Sequence, residues 1–304
     1  MSGLRGRWLE GEPLARHTTW RVGGPARRLY LPADLEDLCA CLRSLPEEEP
    51  LLWLGLGSNL LVRDGGFPGT VLATAGALRG LARQGVGRVR VEAGVPCPKL
   101  ARWCAREGLA GAEFFAGIPG TVGGALAMNA GAFGGETWAL VEAVETVDRR
   151  GRLRRRPPED FQVGYREVRG PAGEWFAAAW LRLRPAGPGE REALEGRMRA
   201  LLARRAATQP MGEPSCGSVF RNPPGDHAAR LIEAAGLKGR RRGGARVSER
   251  HANFIVNTGS ATAADIEALI REVQETVARV HGVRLLPEVR IVGRPLAGGE
   301  AAPE

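Results

Sequence analysis

The most regular pattern of apolar positions lies near the end of the chain. Apolar residues recur there every three or four positions, at Ile266, Leu269, Ile270, Val273, Val277 and Val280. This spacing predicts an amphipathic helix with one buried face. Thr262 and Asp265 stand where a helix-capping pair is expected, and Gly282 stands where the helix should end.

Alternating or short apolar runs predict strands elsewhere in the chain. They are GRVRVEAGV (87–95), a hairpin in LVEAVETVDRRGRLRRRP (140–157), EWFAAAWLRLRP (174–185), LLWLGLGSNLLV (51–62) as strand, turn and strand, HANFIVN (251–257) and VRLLPEVRIVG (283–293). Further helices are predicted from Asp34 to about Leu45, with Asp37 at the third position, and in 96–109, 188–210 and 226–239. This mixed order of strands and helices indicates an α+β fold rather than a doubly wound sheet.

Residues 114–135 need a separate interpretation, because they carry no charge over 22 positions and are long enough to cross a bilayer. Seven of these residues are glycine, and Pro119 and Asn129 interrupt the run. We therefore expect a glycine-dense loop and no membrane insertion.

The charge balance changes the list of possible partners. The 304 residues include 43 basic and 34 acidic ones, and Lys99 and Lys238 are the only lysines. A chain rich in arginine favours anionic partners such as nucleotides, acidic metabolites or nucleic acid. The basic runs at 149–157 and 239–244 lack interleaved aromatic residues, so a solvated surface explains them better than a nucleic-acid interface.

Five cysteines, at positions 39, 41, 97, 104 and 216, form no Cys-x-x-Cys pair. This argues for a reducing compartment and against a disulfide framework or a metal site. The first residues, MSGLRGRWLEGEPL, lack the apolar core of a signal peptide. We expect a cytoplasmic protein, without a bound metal.

Two glycine-rich segments are candidates for binding a phosphorylated ligand. GLGSN (55–59) fails as a dinucleotide fingerprint because Leu60 stands where the third glycine is needed, and no lysine follows to make a phosphate loop. Free backbone N–H groups in such a turn can still hold a diphosphate. The segment 117–135 lets the backbone approach a large flat ligand closely.

The chain has only five asparagines, at 59, 129, 222, 253 and 257, and all lie in glycine-rich or polar stretches.

A family resemblance joins these segments. TTWRVGGPA, LGLGSNLLV, IPGTVGGALAMNAGAFGGE, YRE, CGSVFRNP, VSERHANFIVN and LLPEVRIVG occur in this order between residues 18 and 293. Together they resemble the UDP-N-acetylenolpyruvoylglucosamine reductases, flavoproteins that complete UDP-N-acetylmuramate in bacterial peptidoglycan synthesis. The short region at 150–185 and the presence of only two tyrosines resemble the branch of the family that lacks a tyrosine-bearing loop over the substrate.

The resemblance implies an FAD-binding fold of the vanillyl-alcohol-oxidase/PCMH type and NADPH as the electron source. The expected domains are 1–75 and 76–185 as two FAD-binding subdomains and 186–304 as a substrate-binding domain. The strand at 283–294 is expected to pack with the first of them. The expected substrate is the enolpyruvyl ether of UDP-N-acetylglucosamine, and we expect a monomer without a nucleic-acid partner.

The chemistry needs a hydride at the vinyl carbon, stabilisation of the negative charge that builds beside the carboxylate, and an acid that protonates the neighbouring carbon. By resemblance, Ser218 is the proton donor, and Arg166 and Glu288 are the other two catalytic residues. Arg166 would hold the carboxylate. Glu288 would have to be protonated, or to act through water, because a bare carboxylate repels an enolate.

The resemblance also implies two sets of binding residues. For FAD they are Arg21, Gly55, Gly57, Ser58, Asn59, Leu60, Gly120, Thr121, Gly123, Gly124, Asn129 and Ala130. For the sugar nucleotide they are Tyr165, Gln209, Arg221, Asn222, His251 and Asn253.

Two departures from the family pattern matter. Gln209 stands where a lysine would meet a phosphate, so Arg221 or a nearby arginine is expected to serve instead. Phe133 replaces a hydroxylated aromatic residue.

Two other functions stay open at this point. One is a different FAD-dependent oxidoreductase of the same fold, acting on a sugar or lactone. The absence of histidine between His17 and His227 disfavours the covalent flavin tether common there. The other is a basic RNA-binding protein, which would be colourless and would bind RNA in a salt-sensitive way.

Overall fold

The computed structural model describes residues 3–296. These residues form six α-helices: α1 (Leu35–Ser44), α2 (Cys97–Arg106), α3 (Val122–Ala127), α4 (Glu190–Thr208), α5 (Ala228–Ala234) and α6 (Ala263–His281). The strands of the same residues are β1 (Arg7–Glu10), β2 (Ala26–Leu31), β3 (Leu51–Leu54), β4 (Leu60–Val62), β5 (Phe67–Ala73), β6 (Leu81–Arg83), β7 (Arg88–Glu92), β8 (Leu109–Ala110), β9 (Gly131–Ala132), β10 (Gly135–Glu136), β11 (Val141–Asp148), β12 (Leu153–Arg156), β13 (Gln162–Gly164), β14 (Glu167–Arg169), β15 (Glu174–Arg182), β16 (Arg184–Pro185), β17 (Arg241–Arg242), β18 (Ala245–Val247), β19 (Ile255–Asn257) and β20 (Arg290–Val292).

The chain divides into two compact units. The first contains Met1–Trp8, Tyr30–Leu56 and Val71–Arg205, and the second contains Leu9–Leu29, Gly57–Thr70 and Ala206–Glu304. The chain passes between the units within strands β1, β2 and β5, which belong with β3 to a sheet of order β1-β2-β5-β3. The domain boundaries expected at residues 75 and 185 stay a prediction.

A five-stranded antiparallel sheet, of order β12-β11-β15-β7-β6, forms the centre of the first unit. Its apolar residues Val89, Val91 and Leu181 share a core with Leu100 and Cys104 of α2. The alternation in 87–95 follows from this arrangement, since inward residues of β7 meet the helix. Strand β15 does not alternate, because Ala177, Ala178 and Ala179 are all buried. The hairpin predicted in 140–157 is confirmed, with Val147 opposite Leu153.

Helix α1 shows how the capping signals act. The carboxylate of Asp34 accepts a hydrogen bond from the N–H of Asp37 at 2.9 Å, which starts the helix. Asp37 is itself buried and accepts from the hydroxyl of Tyr30 at 2.6 Å. Burial, together with the hydrogen bond to this carboxylate, raises the pKa of Tyr30 well above its usual value, so the phenol stays protonated. The predicted start and end of this helix are confirmed.

Helix α6 packs against the sheet β17-β18-β19 in the second unit. Thr262 and Asp265 form the predicted capping box, and Gly282 adopts a left-handed conformation after the last turn. The predicted apolar face is buried from Ile266 to Val277. Val280 was expected on this face but is 48% exposed, because the packed face ends one turn before the helix does.

The terminal strand pairs with the segment after the first glycine-rich turn. Strand β20 lies parallel to β4, with Arg290 opposite Leu60 and Val292 opposite Val62. Within the strand predicted over 283–293, only the three residues Arg290–Val292 form a strand in the structure. The loop expected over 114–135 also contains regular structure, because Thr121 caps the six-residue helix α3.

The basic run at 149–157 is paired with acidic side chains of the same unit. Asp148 accepts from Arg152 and Arg154 at 2.8 Å each, and Glu174 contacts Arg156 at 2.6 Å. The hydrogen bond from Arg156 lowers the pKa of Glu174. Burial alone would raise the pKa of Asp148, but hydrogen bonds from Arg152 and Arg154 lower it. This pairing agrees with the predicted solvated surface, and the lack of a nucleic-acid partner stays a prediction.

Candidate active site

The glycine-rich turn at Gly57 is shaped by a close backbone approach. Gly57 has φ +60°, and a Cβ there would overlap the carbonyl oxygen of His17. Thr19 donates its N–H to the carbonyl oxygen of Gly57 at 3.2 Å. Within residues 3–296, the N–H groups of Gly57 and Ser58 have no protein acceptor. This donor set fits an anionic diphosphate such as that of FAD.

Asn59 connects this turn to Glu288. Its side-chain amide donates to the carbonyl oxygen of Glu288 at 3.1 Å, and its own carbonyl oxygen accepts from the N–H of Arg290 at 3.1 Å. Leu60, which follows, is buried and pairs with Arg290. A residue expected to bind the cofactor therefore holds the backbone of a residue expected to act on the substrate.

Ser218 lies on the segment next to Glu288. The N–H of Glu288 donates to the carbonyl oxygen of Val219 at 2.7 Å, and Phe220 forms a bridge with Pro287. Ser218 and Glu288 are both half-buried. The structure thus brings two of the three expected catalytic residues onto neighbouring antiparallel segments of one unit.

Cys216, two residues before Ser218, is 5% exposed. Burial raises the pKa of its thiol, and the negative charge of Glu288 adds to the effect. The thiol is therefore protonated at neutral pH and is a poor nucleophile.

In the first unit, the second glycine-rich segment packs tightly on one side and is open on the other. A Cβ on Gly55 would lie 2.5 Å from Oγ1 of Thr121, and a Cβ on Gly123 would lie 2.9 Å from that of Ala93. Gly120 accepts a hydrogen bond from the N–H of Cys97 at 2.9 Å. A Cβ on Gly124, in contrast, would meet only Oγ1 of Thr121, at 3.8 Å. The open face at Gly124 leaves room for a ligand, which fits a bound flavin nucleotide.

Asn129 is a hub of protein contacts. It is 3% exposed; its amide donates to Glu136 at 3.1 Å and to the carbonyl oxygen of Gly164 at 3.2 Å, and its side-chain oxygen accepts from the N–H of Trp138. Ala130 donates to Ala125 and accepts from Thr137. In the described structure both residues shape the segment, and their contact with FAD stays a prediction.

Arg166 lies at the tip of a hairpin that the sequence patterns did not predict. Strands β13 and β14 pair Gly164 with Glu167, which leaves Tyr165 and Arg166 as the two turn residues. Arg166 has φ +56°, and its guanidinium donates to the carbonyl oxygen of Gly131 at 2.9 Å. It also lies 5.4 Å from the ring centroid of Tyr165, which is 50% exposed. The position normally takes glycine or asparagine.

Backbone strain marks several expected site residues. The non-glycine residues with positive φ in the described part of the chain are Arg21, Asn129, Phe133 and Arg166. Such conformations persist where the surroundings enforce them, and they concentrate at functional sites. Three of these four residues, Arg21, Asn129 and Arg166, are among the site residues that the family resemblance implies.

The expected sugar-nucleotide residues have varied surroundings. Asn222 accepts from the N–H of Ala228 at 3.1 Å and so helps to start α5, and the backbone N–H of Arg221 binds the carbonyl oxygen of Leu286. His251 is half-buried, burial lowers its pKa, and its ring lies edge-on to Phe254. The imidazole is therefore neutral at pH 7.

The sequence did not point to Arg250, which holds the end of α4. Its guanidinium donates to the carbonyl oxygens of Ala206 at 3.1 Å and Gln209 at 3.3 Å. A cation at a helix C-terminus is stabilising. This arginine stands beside Gln209, where the family pattern suggested a missing lysine. Its signal in the sequence was only its adjacency to His251.

Among residues 3–296, no three His, Cys, Asp or Glu side chains cluster as a metal site would require. In the same residues, helices are either too short or too polar to span a bilayer.

Two regions of the chain match known protein families. The family description "UDP-N-acetylenolpyruvoylglucosamine reductase, C-terminal domain" matches residues 209–292, and "FAD binding domain" matches residues 26–156. The first range contains Ser218 and Glu288. The second range contains the second glycine-rich segment, 117–135.

Similar whole chains carry the same description. UDP-N-acetylenolpyruvoylglucosamine reductase of Alkalilimnicola ehrlichii is 70% identical, covering 93% of this chain and 93% of its own length. That of Methylococcus capsulatus is 64% identical, covering 96% and 95%. The crystal structure of UDP-N-acetylenolpyruvylglucosamine reductase (MurB) from Thermus caldophilus superposes with a TM-score of 0.80 at 38% identity, covering 94% of this chain and 98% of that chain. With this identity and coverage, the chain belongs to the UDP-N-acetylenolpyruvoylglucosamine reductase family.

Proposed function

We propose that the protein reduces the enolpyruvyl ether of UDP-N-acetylglucosamine to UDP-N-acetylmuramate, a step in peptidoglycan precursor synthesis. It is an FAD-dependent oxidoreductase with NADPH as reductant. The observation that carries the proposal is the hydrogen bond between the N–H of Glu288 and the carbonyl oxygen of Val219 at 2.7 Å, which sets Ser218 beside Glu288. Family membership favours this function over the sugar or lactone oxidoreductase and the RNA-binding protein.

The reaction adds one hydride and one proton across the vinyl group of the substrate. FAD, reduced by NADPH, supplies the hydride when it is bound. Negative charge then develops on the carbon beside the carboxylate and spreads into the carboxylate oxygens. The protein must stabilise that charge and deliver the proton to the carbon.

Ser218 is our candidate for the proton donor. Its hydroxyl lies on a segment whose preceding residue, Gly217, has φ +83° and an open position where a Cβ would stand. Hydroxyl groups are weak acids, but a carbanion stabilised as an enolate is a strong base. Transfer from Ser218 is therefore feasible when the two groups touch.

Glu288 is our candidate for the group that supports this transfer. Its backbone N–H donates to the carbonyl oxygen of Val219, the residue that follows Ser218, at 2.7 Å. A protonated carboxyl group would donate a hydrogen bond to the developing enolate. An ionised one would act through water, because direct contact of two anions is repulsive.

Arg166 is our candidate for the cation that pairs with the substrate carboxylate. Its guanidinium orientation is fixed by the carbonyl oxygen of Gly131. A planar guanidinium binds a carboxylate through two parallel hydrogen bonds. The strained backbone at this residue supports the assignment, because a structural turn would be more stable with glycine.

We also propose a cytoplasmic location for the protein. The five cysteines are free and buried, which agrees with a reducing cytoplasm. Binding of the uridine diphosphate by Gln209, Arg221 and His251, a monomeric state, and the lack of a nucleic-acid partner stay predictions.

Ser218→Ala tests the function by separating the two half-reactions. NADPH should bleach the flavin of the variant at the normal rate. The enolpyruvyl substrate should reoxidise it about 10²–10⁴-fold more slowly, the usual range for the loss of a general acid. Anaerobic stopped-flow absorbance measures both steps. Ser215→Ala, in the same segment, is the matched control.

Two results would contradict the proposal at different levels. Normal reoxidation of Ser218→Ala would remove Ser218 from the acid role. A wild-type protein whose reduced flavin is not reoxidised by the enolpyruvyl substrate would refute the proposed reaction.

A further inference from the structure

We propose that Asn253 is a positioning residue for Ser218, acting through the backbone and not through the substrate. The inference rests on the proposed function, since it assigns Ser218 the acid role. It departs from the expectation that Asn253 contacts the sugar nucleotide.

Three hydrogen bonds from Asn253 hold the two residues that follow Ser218. Its side-chain oxygen accepts from the N–H of Phe220 at 2.9 Å, and its amide nitrogen donates to the carbonyl oxygen of Phe220 at 2.8 Å. Its own carbonyl oxygen accepts from the N–H of Val219 at 2.9 Å. Asn253 is 3% exposed, so these bonds are shielded from water.

On the other side of Ser218 the anchor is more distant. The carbonyl oxygen of Pro214 accepts from the N–H of Asn257 at 2.9 Å. Gly217 stands between Pro214 and Ser218, with φ +83° and, in the described part of the chain, no atom within 4 Å of the place where its Cβ would be. Because glycine allows more backbone conformations than any other residue, the adjacent anchor at Val219 and Phe220 has the greater influence on the orientation of Ser218.

The same anchor extends to Glu288. The carbonyl oxygen of Val219 accepts from the N–H of Glu288, and the N–H of Arg221 donates to the carbonyl oxygen of Leu286. A shift of Val219 would move Ser218 and would also alter its distance from Glu288. Misplacement of a reacting group by about 1 Å can slow a reaction by about 10²-fold.

The contact requires an amide, because one donor and one acceptor must face the two backbone groups of Phe220. In Asn253→Asp the second carboxylate oxygen would face the carbonyl oxygen of Phe220. The two acceptors would repel each other, and the segment would have to shift. In Asn253→Thr one of the two bonds is lost without burying a charge.

Asn257 offers a matched control four residues away. It is 7% exposed, its amide donates to the carbonyl oxygen of Trp20 at 2.9 Å, and its side-chain oxygen accepts from the N–H of Gly259 at 2.8 Å. Its burial and side-chain bonding resemble those of Asn253, and its side-chain partners are Trp20, Gly259 and Ala261. Its backbone N–H donates to the carbonyl oxygen of Pro214 at 2.9 Å, and a side-chain substitution keeps that bond. Asn257→Asp and Asn257→Thr therefore perturb side-chain bonds that do not involve Val219 or Phe220.

The test uses the flavin-loaded variants at equal folded fraction, checked by thermal unfolding. For Asn253→Asp we expect an unchanged rate of flavin bleaching by NADPH and a reoxidation by substrate slowed about 10²-fold. We also expect faster amide hydrogen exchange in the peptide containing Val219 and Phe220. Both Asn257 variants should keep wild-type rates in both steps. If Asn253→Asp does not retain flavin, the test uses Asn253→Thr in its place. For that variant we expect a smaller decrease in the rate at which substrate reoxidises the flavin.

The inference is overturned if folded Asn253 variants are reoxidised at the wild-type rate, or if the Asn253 and Asn257 variants are slowed equally. Ser218→Ala measured in parallel separates this failure from failure of the proposed function. If substrate reoxidises the flavin slowly in Ser218→Ala but at the wild-type rate in Asn253→Thr and Asn253→Asp, only the positioning role of Asn253 is refuted.

Discussion

The two units hold their expected catalytic side chains by opposite means. In the first unit, Arg166 is a turn residue with a strained backbone, and its guanidinium donates to the carbonyl oxygen of Gly131 at 2.9 Å. In the second unit, Ser218 and Glu288 lie on unstrained segments joined by backbone hydrogen bonds and fastened by two asparagine amides. The first arrangement stores strain at the functional residue itself, whereas the second distributes the positioning over satisfied hydrogen bonds.

This difference predicts different consequences of substitution. Removing the strained residue should lower activity without lowering stability. Removing a glycine or a polar group from the hydrogen-bonded segments should affect both. The following experiments test that contrast.

The largest effect is expected for Arg166→Gly. Reoxidation of the flavin by the enolpyruvyl substrate should slow by about 10²–10³-fold, because the charge developing on the substrate loses its partner. The unfolding midpoint should be kept or raised, since glycine adopts φ +56° without the roughly 1–2 kcal/mol penalty of other residues. Stopped-flow absorbance and thermal unfolding measure the two quantities.

Arg169→Ala is the matched control for this variant. Arg169 lies on the same hairpin and pairs with Glu167 at 2.7 Å while remaining exposed. Its removal should leave the rate unchanged. A fully active Arg166→Gly would remove Arg166 from the site.

In the second unit, Gly57→Ala should lower both stability and cofactor retention. A Cβ would overlap the carbonyl oxygen of His17, and φ +60° adds strain, so we expect a loss of about 1–3 kcal/mol in the free energy of unfolding. The absorbance ratio of flavin to protein after purification reports retention, and urea unfolding reports stability.

Gly124→Ala provides the contrast from the first unit. The added methyl group meets only Thr121, at 3.8 Å, and alanine favours the helix α3. Stability should therefore be kept while flavin affinity falls. Equal behaviour of the Gly57 and Gly124 variants would contradict the difference between the tight and the open segment.

The smallest effect is expected for the ion pair that ties α6 to the segment after β4. Glu267 accepts two hydrogen bonds from Arg63, at 2.9 and 3.0 Å, and this guanidinium lowers the pKa of Glu267 against the opposing effect of burial. A lowered pKa in the folded state means stability that is present above the usual pKa of 4.5 and is lost as the pH falls through the folded value.

Glu267→Gln should therefore destabilise the protein by about 1 kcal/mol at pH 7, a modest loss because Arg63 is partly exposed. The loss should be smaller near pH 4, where the contribution of the carboxylate charge to the free energy of unfolding is already reduced. Urea unfolding at both pH values measures the difference. A loss of the same size at both pH values would show that the carboxylate charge does not matter.

The sequence predicted best those elements whose signals are local. Helix α6 follows from apolar spacing and its capping box, and α1 follows from Asp34. The prediction that Val280 is buried was wrong, since the periodicity of apolar residues does not show where the packing partner of a helix ends. The hairpin around Arg166 was missed, because arginine is not a residue that signals a turn with positive φ.

The site illustrates the same limit. Resemblance supplied Ser218, Arg166 and Glu288 as residues, but not what holds them. The hydrogen bond from Asn59 to Glu288 joins residues 229 positions apart, and that from Asn253 to Phe220 joins residues 33 positions apart. Pairings at such distances depend on the folded backbone, and one sequence contains no local pattern for them.

The buried thiol of Cys216 gives the enzyme an internal reporter. Its burial and raised pKa make it unreactive toward alkylating reagents while the Ser218 segment is closed. Modification then requires a local opening of that segment, so the labelling rate measures how often it opens. Mass spectrometry of a tryptic digest can follow this single position, and ligands that tighten the segment should slow the labelling.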